Sequence, residues 1–216
     1  MTTSVLSAVE RETIVRRGRG LNIATLVWNS LEGVIAIAAG VSAGSIALVG
    51  FGVDSGIELA ASVMALWRLG ADASPAHRER VEQVSHRAIG VLFVALAVYV
   101  AYDAASSLIR HEAPAASRIG IGLAVASLIV MPYLARAKRR VGLALGSRAL
   151  VAESAQTSLC TYLSAILLGG LLLNATAGWW WADPVAALIM VPIIAREGVG
   201  GLRGTPACAD DCQVHT

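Results

Sequence analysis

Ile46-Ala-Leu-Val-Gly-Phe-Gly-Val-Asp54-Ser-Gly-Ile-Glu58-Leu-Ala-Ala-Ser-Val-Met-Ala-Leu-Trp67 is long and apolar enough to cross a bilayer, yet it carries a pair of carboxylates near its middle. About 20 mostly apolar residues span a hydrocarbon core. An ionisable side chain there costs at least a few kcal/mol, and such residues mark ion or proton paths by default. Asp54 and Glu58 stand at i and i+4, on one helix face about 6 Å apart. Like charges that close must share a cation or a proton, so the pair reads as a place where metal and proton exchange. The bland alternative is a pair kept protonated and hydrogen-bonded between helices.

Five further stretches reach or approach spanning length: Leu21–Val41, Ile89–Ile109, Ile119–Leu134, Ala149–Leu173 and Trp179–Ala195. The fold class expected is therefore an all-α membrane protein with six transmembrane helices. Composition agrees, because the 216 residues are 56% apolar and only 15% charged, with mean hydropathy +0.67. Soluble domains carry about 25% charge. A net charge of +2 supplies no basic face for a phosphate backbone, which excludes nucleic acid as a partner. Three cysteines provide no disulfide framework. Met1–Gly20 lacks a signal peptide's apolar middle, leaving targeting to the first membrane helix.

Of the 17 Lys and Arg residues, all but Arg110 and Arg118 fall in the N-terminal arm, in the Arg68–Arg87 and Ala135–Arg148 connections, or after Ala195. Short loops rich in such residues stay cytoplasmic, so both termini are expected in the cytoplasm of a multi-pass inner or plasma membrane protein. Trp179–Trp181 suit an outer aromatic belt. The expected organisation is a cytoplasmic arm over residues 1–20, a six-helix transport domain over 21–198 and a short cytoplasmic tail over 199–216.

In the fifth stretch Glu153, Gln156, Thr157 and Cys160 follow one another at i, i+3, i+4 and i+7, a polar stripe that must face the bundle interior or a wet cavity. The first stretch carries Asn22, Asn29 and Glu32. There Glu32 is read either as a secondary metal or proton carrier or as an interhelical hydrogen-bond partner. Asp103 and Asp183 are expected at the membrane interface. The tail concentrates Cys208, Asp210, Asp211, Cys212 and His215, and its C-x3-C-x2-H spacing suits a zinc site as well as an unordered end. Asp72, His77, Glu79, Glu82 and His86 are expected in a solvated, charged connector.

The run from Ser45 to Glu58 resembles the second-helix signature of the cation diffusion facilitator family of divalent-metal transporters. Ala152-Glu153-Ser-Ala-Gln156-Thr-Ser-Leu-Cys160 resembles its fifth-helix signature, and Trp181-Ala-Asp183-Pro-Val-Ala-Ala the opening of its sixth helix. The resemblance implies a metal site made by Asp54, Glu58, Gln156 and Cys160, with Glu153 and Thr157 as the other means of completing it. It places an amide and a thiol where the family carries His and Asp. It also implies the absence of the family's C-terminal cytoplasmic domain, a homodimer, and export of Zn²⁺, or next Cd²⁺, by proton-coupled antiport with alternating access. No permanently bound cofactor is expected. A thiolate among oxygen ligands favours Zn²⁺ and Cd²⁺ over harder cations. A non-transporting membrane scaffold or metal-binding protein and a proton-coupled organic-cation exporter are the rival readings. An enzyme is not expected, since no Ser/His pair, protease-type Asp pair or HExxH is present.

Overall fold

The computed structural model describes residues 8–70, 75–145 and 148–203. They form α1 (Ala8–Ala43), α2 (Ile46–Gly70), α3 (Pro75–Arg110), α4 (Arg118–Leu145), α5 (Arg148–Ala177) and α6 (Ala182–Arg203). Among the described residues there is no strand. Five of the helices, all but α2, contain described windows long and apolar enough to cross a membrane. Their apolar residues do not all point inward: Val34, Val41, Ile109 and Ile129 are each about 70% exposed or more. That is the expected outcome where lipid, as apolar as the core, is the surround.

Each helix outruns its apolar stretch. The helical part of the expected N-terminal arm begins at Ala8, α3 already starts at Pro75 within the Arg68–Arg87 connection, and α4 continues through the basic run to Leu145. Hydropathy marks contact with lipid, whereas a helix once nucleated adds one hydrogen bond per residue, and Arg, Lys, Glu and Ala prolong it readily. The opposite correction applies to the sixth helix, which begins at Ala182, so the three tryptophans lie in the turn before it.

The helices pack chiefly as α1 with α2, α3 with α6 and α4 with α5, and α2 also meets α3, α5 and α6. Small residues set the closest approaches. A Cβ at Gly52 of α2 would lie 2.9 Å from the Ile37 amide nitrogen of α1, and one at Gly90 of α3 would lie 2.6 Å from the Leu202 nitrogen of α6. Backbone atoms cannot yield, so a side chain at either position would part the helices. Phe51, Leu48, Leu167, Leu171, Met190 and Val100 form the apolar core around α2, α5 and α6.

One end of the bundle is tied together by polar contacts. Ser45 opens α2, its Oγ accepting from the Leu48 amide (3.2 Å) and donating to Asp183. The same Asp183 carboxylate accepts from the Ile46 and Ala47 amides at 3.0 and 3.4 Å. A helix start with its first amides so satisfied can be buried, and Asp183, at this end of the bundle, is fully buried. At this end Trp179 and Trp181 stack at 4.9 Å, and His111 lies 5.0 Å from Trp180. Asp103, half-buried, lies within weak hydrogen-bond reach of the Tyr99 hydroxyl at 3.4 Å.

Candidate metal centre between α2 and α5

Asp54 and Glu58 project from one face of α2 toward α5, and both are buried, at 4% and 2% exposure. The facing turn of α5 presents Thr157 and Cys160, also buried. Cys160 Sγ lies 2.8 Å from Glu58 Oε2, to which it donates, and 3.5 Å from Asp54 Oδ2. Thr157 Oγ1 donates to the other oxygen of Glu58 at 2.9 Å. The thiol thus bridges the carboxylates that the sequence placed side by side, and a hydroxyl holds one of them in register.

A cavity of about 10 Å³ opens beside this cluster, lined by Asp54, Glu58, Gln156, Cys160 and Glu197 together with Phe93, Leu159, Leu163, Ile193 and Ile194. That is room for about one water. No Lys or Arg is among its described lining residues; of the acidic groups there Glu197 has the charge of Arg196 beside it, while Asp54 and Glu58 favour a cation or bound protons. Among the described residues no three His, Cys, Asp or Glu side chains already stand in metal-binding geometry. Asp54, Glu58 and Cys160 hydrogen-bond to one another instead, the arrangement suited to groups that carry a proton until a metal displaces it.

Of the residues singled out from sequence, Asp54, Glu58, Gln156 and Cys160 meet at this cavity, with Thr157 behind Glu58. Glu153 does not join them. It accepts from Ser62 of α2 at 3.2 Å and from Lys138 of α4 at 3.3 Å. Glu32 of α1 meets α2 at Ser55, the residue after Asp54, accepting from Trp28 Nε1 at 3.2 Å and from Ser55 Oγ at 2.9 Å. Asn29, one turn away, is buried beside it. Cys208, Cys212 and His215, like Asp72, lie outside the described residues, as do the side chains of His77, Glu79, Glu82 and His86.

Two participants were not anticipated. Glu197 lies near the C-terminal end of α6, where the cavity-lining Ile193, Ile194 and Glu197 keep helical spacing. That continued period is the signal that finds it. Lys138 had been counted as a loop cation, yet it is only 1% exposed and turned onto Glu153. No sequence pattern distinguishes it from its basic neighbours.

The cation efflux transmembrane domain matches residues 23–204 of the chain. An uncharacterized transporter of Synechocystis sp. is 28% identical over 151 residues, covering 67% of this chain and 49% of that protein. An uncharacterized transporter of Methanocaldococcus jannaschii is 27% identical over 182 residues, covering 81% of this chain and 63% of its own length. The chain therefore spans between half and two thirds of the curated relatives it matches. Both relatives are named as transporters, and the domain matched by this chain is a transmembrane one. With its apolar helices and the matched domain covering nearly all of them, the chain is a multi-pass membrane protein of the cation efflux family.

Proposed function

We propose that the chain exports a divalent cation, Zn²⁺ first and Cd²⁺ next, in exchange for protons, by alternating access within a homodimer in the inner or plasma membrane, its termini in the cytoplasm. The observation that carries this reading is the thiol of Cys160 set between the carboxylates of Asp54 and Glu58 beside a cavity whose described lining holds no basic residue. Carboxylate and thiolate bind a metal only when deprotonated, so arrival of the cation releases protons and re-protonation expels it. An amide oxygen from Gln156 completes a four-coordinate set of the kind zinc accepts. Sulfur among the donors favours zinc and cadmium over magnesium and manganese.

The test is uptake of Zn²⁺, Cd²⁺, Co²⁺, Mn²⁺ and Fe²⁺ into proteoliposomes holding the purified protein, with a pH dye recording the counterflow. Zn²⁺ and Cd²⁺ uptake driven by a pH gradient, and lost in the Asp54→Ala variant while the protein still elutes as a folded species, is the expected result. Transport by Asp54→Ala at the parental rate would remove Asp54 from the site. Metal binding without flux would leave the scaffold reading standing in place of the transporter.

A further inference from the structure

The buried face of α1 changes character halfway along. Asn22, Thr25, Asn29 and Glu32 follow one another at helical spacing and are 3% exposed or less. From Gly33 onward the same face is small and apolar, with Ala36, Ala39 and Gly40 buried on the Val49–Gly52 turn of α2. The opposite face, Ile23, Val27, Leu31 and Val34, is exposed throughout, as lipid contact requires. A polar track therefore enters from the N-terminal end of α1 and stops at mid-helix on a carboxylate.

Two members of the track lack what a buried polar group needs. Both amide atoms of Asn29 and the Oδ1 of Asn22 are inaccessible and find no hydrogen-bond partner in the protein. An unsatisfied buried polar group costs about 1–3 kcal/mol, and in a membrane nothing in the lipid can relieve it. A polar pocket supplying several such groups is where protein interiors hold water. Thr25 turns its hydroxyl back to Leu21 O at 3.0 Å, leaving its Oγ1 lone pairs open to the same water. At the inner end Glu32 is held by Trp28 and Ser55.

We propose that Asn22, Thr25 and Asn29 line a hydrated half-path for protons that ends at Glu32, separate from the metal cavity, and that Glu32 is the carboxylate that carries the coupled proton. Glu32 touches none of Asp54, Glu58 and Cys160, but Ser55, whose hydroxyl it accepts, is the residue after Asp54. The titratable groups whose charge reaches it are Asp54 and Glu58 on α2 and Cys160 on α5, while α4 presents the neutral Ser127. When a cation binds at the cavity an O–H or S–H bond there breaks, and water carries that proton to Ser55, whose hydroxyl takes it up as it passes its own to a new O–H bond on Glu32. That bond breaks again as the proton moves to water beside Asn29. The metal ligands and the proton carrier are thus distinct but neighbouring groups, so that arrival of the cation drives a proton off by way of Glu32.

The coupling part of this inference rests on the proposed proton-linked transport; the existence of the path does not, and the experiment separates them. Thr25→Cys and Ala36→Cys variants in proteoliposomes are treated with a small water-soluble methanethiosulfonate, and adducts are located by mass spectrometry. Position 25 should react at least tenfold faster than position 36, and equal rates would overturn the path. In flux assays Glu32→Gln should lower the number of protons moved per Zn²⁺ by one. Asn29→Leu should slow both fluxes at least tenfold with their ratio intact, and Asn29→Ser should restore them. An unchanged ratio in Glu32→Gln would overturn its role. So would a loss of Zn²⁺ binding in detergent as complete as that of Asp54→Ala, which would make Glu32 a ligand. If the unmodified protein moves no zinc while position 25 still labels, the transport reading falls and the hydrated path stands.

Discussion

Removing one partner of the Lys138–Glu153 pair should destabilise the bundle, and by different amounts for the two partners. The pair joins α4 to α5 at 3.3 Å, with Lys138 at 1% side-chain exposure and Glu153 at 13%. At that separation and an effective dielectric of about 20 the attraction is about 5 kcal/mol before desolvation. Breaking a buried pair by removing one side costs about 3–5 kcal/mol, because the other charge is stranded. Lys138 has no other acceptor comparable to Glu153, whereas Glu153 keeps Ser62 and its partial access to water. Glu153→Gln should therefore cost toward 5 kcal/mol and Lys138→Met nearer 3 kcal/mol. The double variant, with neither charge, should recover most of the loss. The assay is equilibrium unfolding in mixed micelles for the four proteins of the double-mutant cycle. Additive losses, with a coupling under about 0.5 kcal/mol, would refute the claim that this is a buried, mutually dependent pair.

Three further outcomes follow from the geometry. If Cys160 is a metal ligand, Cys160→Asp and Cys160→Ser should both lower Cd²⁺ uptake relative to Zn²⁺ by several-fold, because sulfur favours the softer ion; an unchanged Cd²⁺/Zn²⁺ ratio in both variants would remove the sulfur from the site and leave Thr157 as the completing oxygen. Asp183→Ala strips the acceptor from the Ile46 and Ala47 amides and from Ser45, and should lower unfolding stability by about 2 kcal/mol, with Asp183→Asn recovering part of it; equal stability would mean that water serves these amides. Leu143, exposed near the end of α4, should after substitution by cysteine resist membrane-impermeant thiol reagents added to intact cells and react once the cells are opened; labelling from outside would invert the orientation read from the Lys and Arg distribution.

The number of helices, their order and the carboxylate pair on the second were legible because they depend only on local quantities. A run of apolar residues must lie in lipid or a core, and residues four apart on a helix share a face whatever surrounds it. Those same rules brought Asp54 and Glu58 to one side and aligned Gln156 with Cys160, so the polar lining of the cavity except Glu197 was named before any packing was known. The helix ends were not legible, since hydropathy falls at the membrane boundary while backbone hydrogen bonding continues beyond it, as at Ala8, Pro75 and Leu145.

Tertiary structure decided which partner each polar side chain took. Glu153 belongs to the same helical stripe as Cys160, yet the two turns of α5 between them, about 10 Å, are enough to give it Lys138 and Ser62 in place of the cavity. Asp183 stands beside the tryptophans at the end of the bundle, where the start of α2 lies against it and three donors from more than a hundred residues away in sequence keep it buried. Lys138 and the other cations of α4 are alike in sequence, and only the position of α5 selects one of them. The stability of a buried charge or dipole is set by the groups within about one hydrogen-bond length, and those come from other helices. Periodicity along a single chain can show that a polar face must be covered; what covers it is fixed when the helices pack.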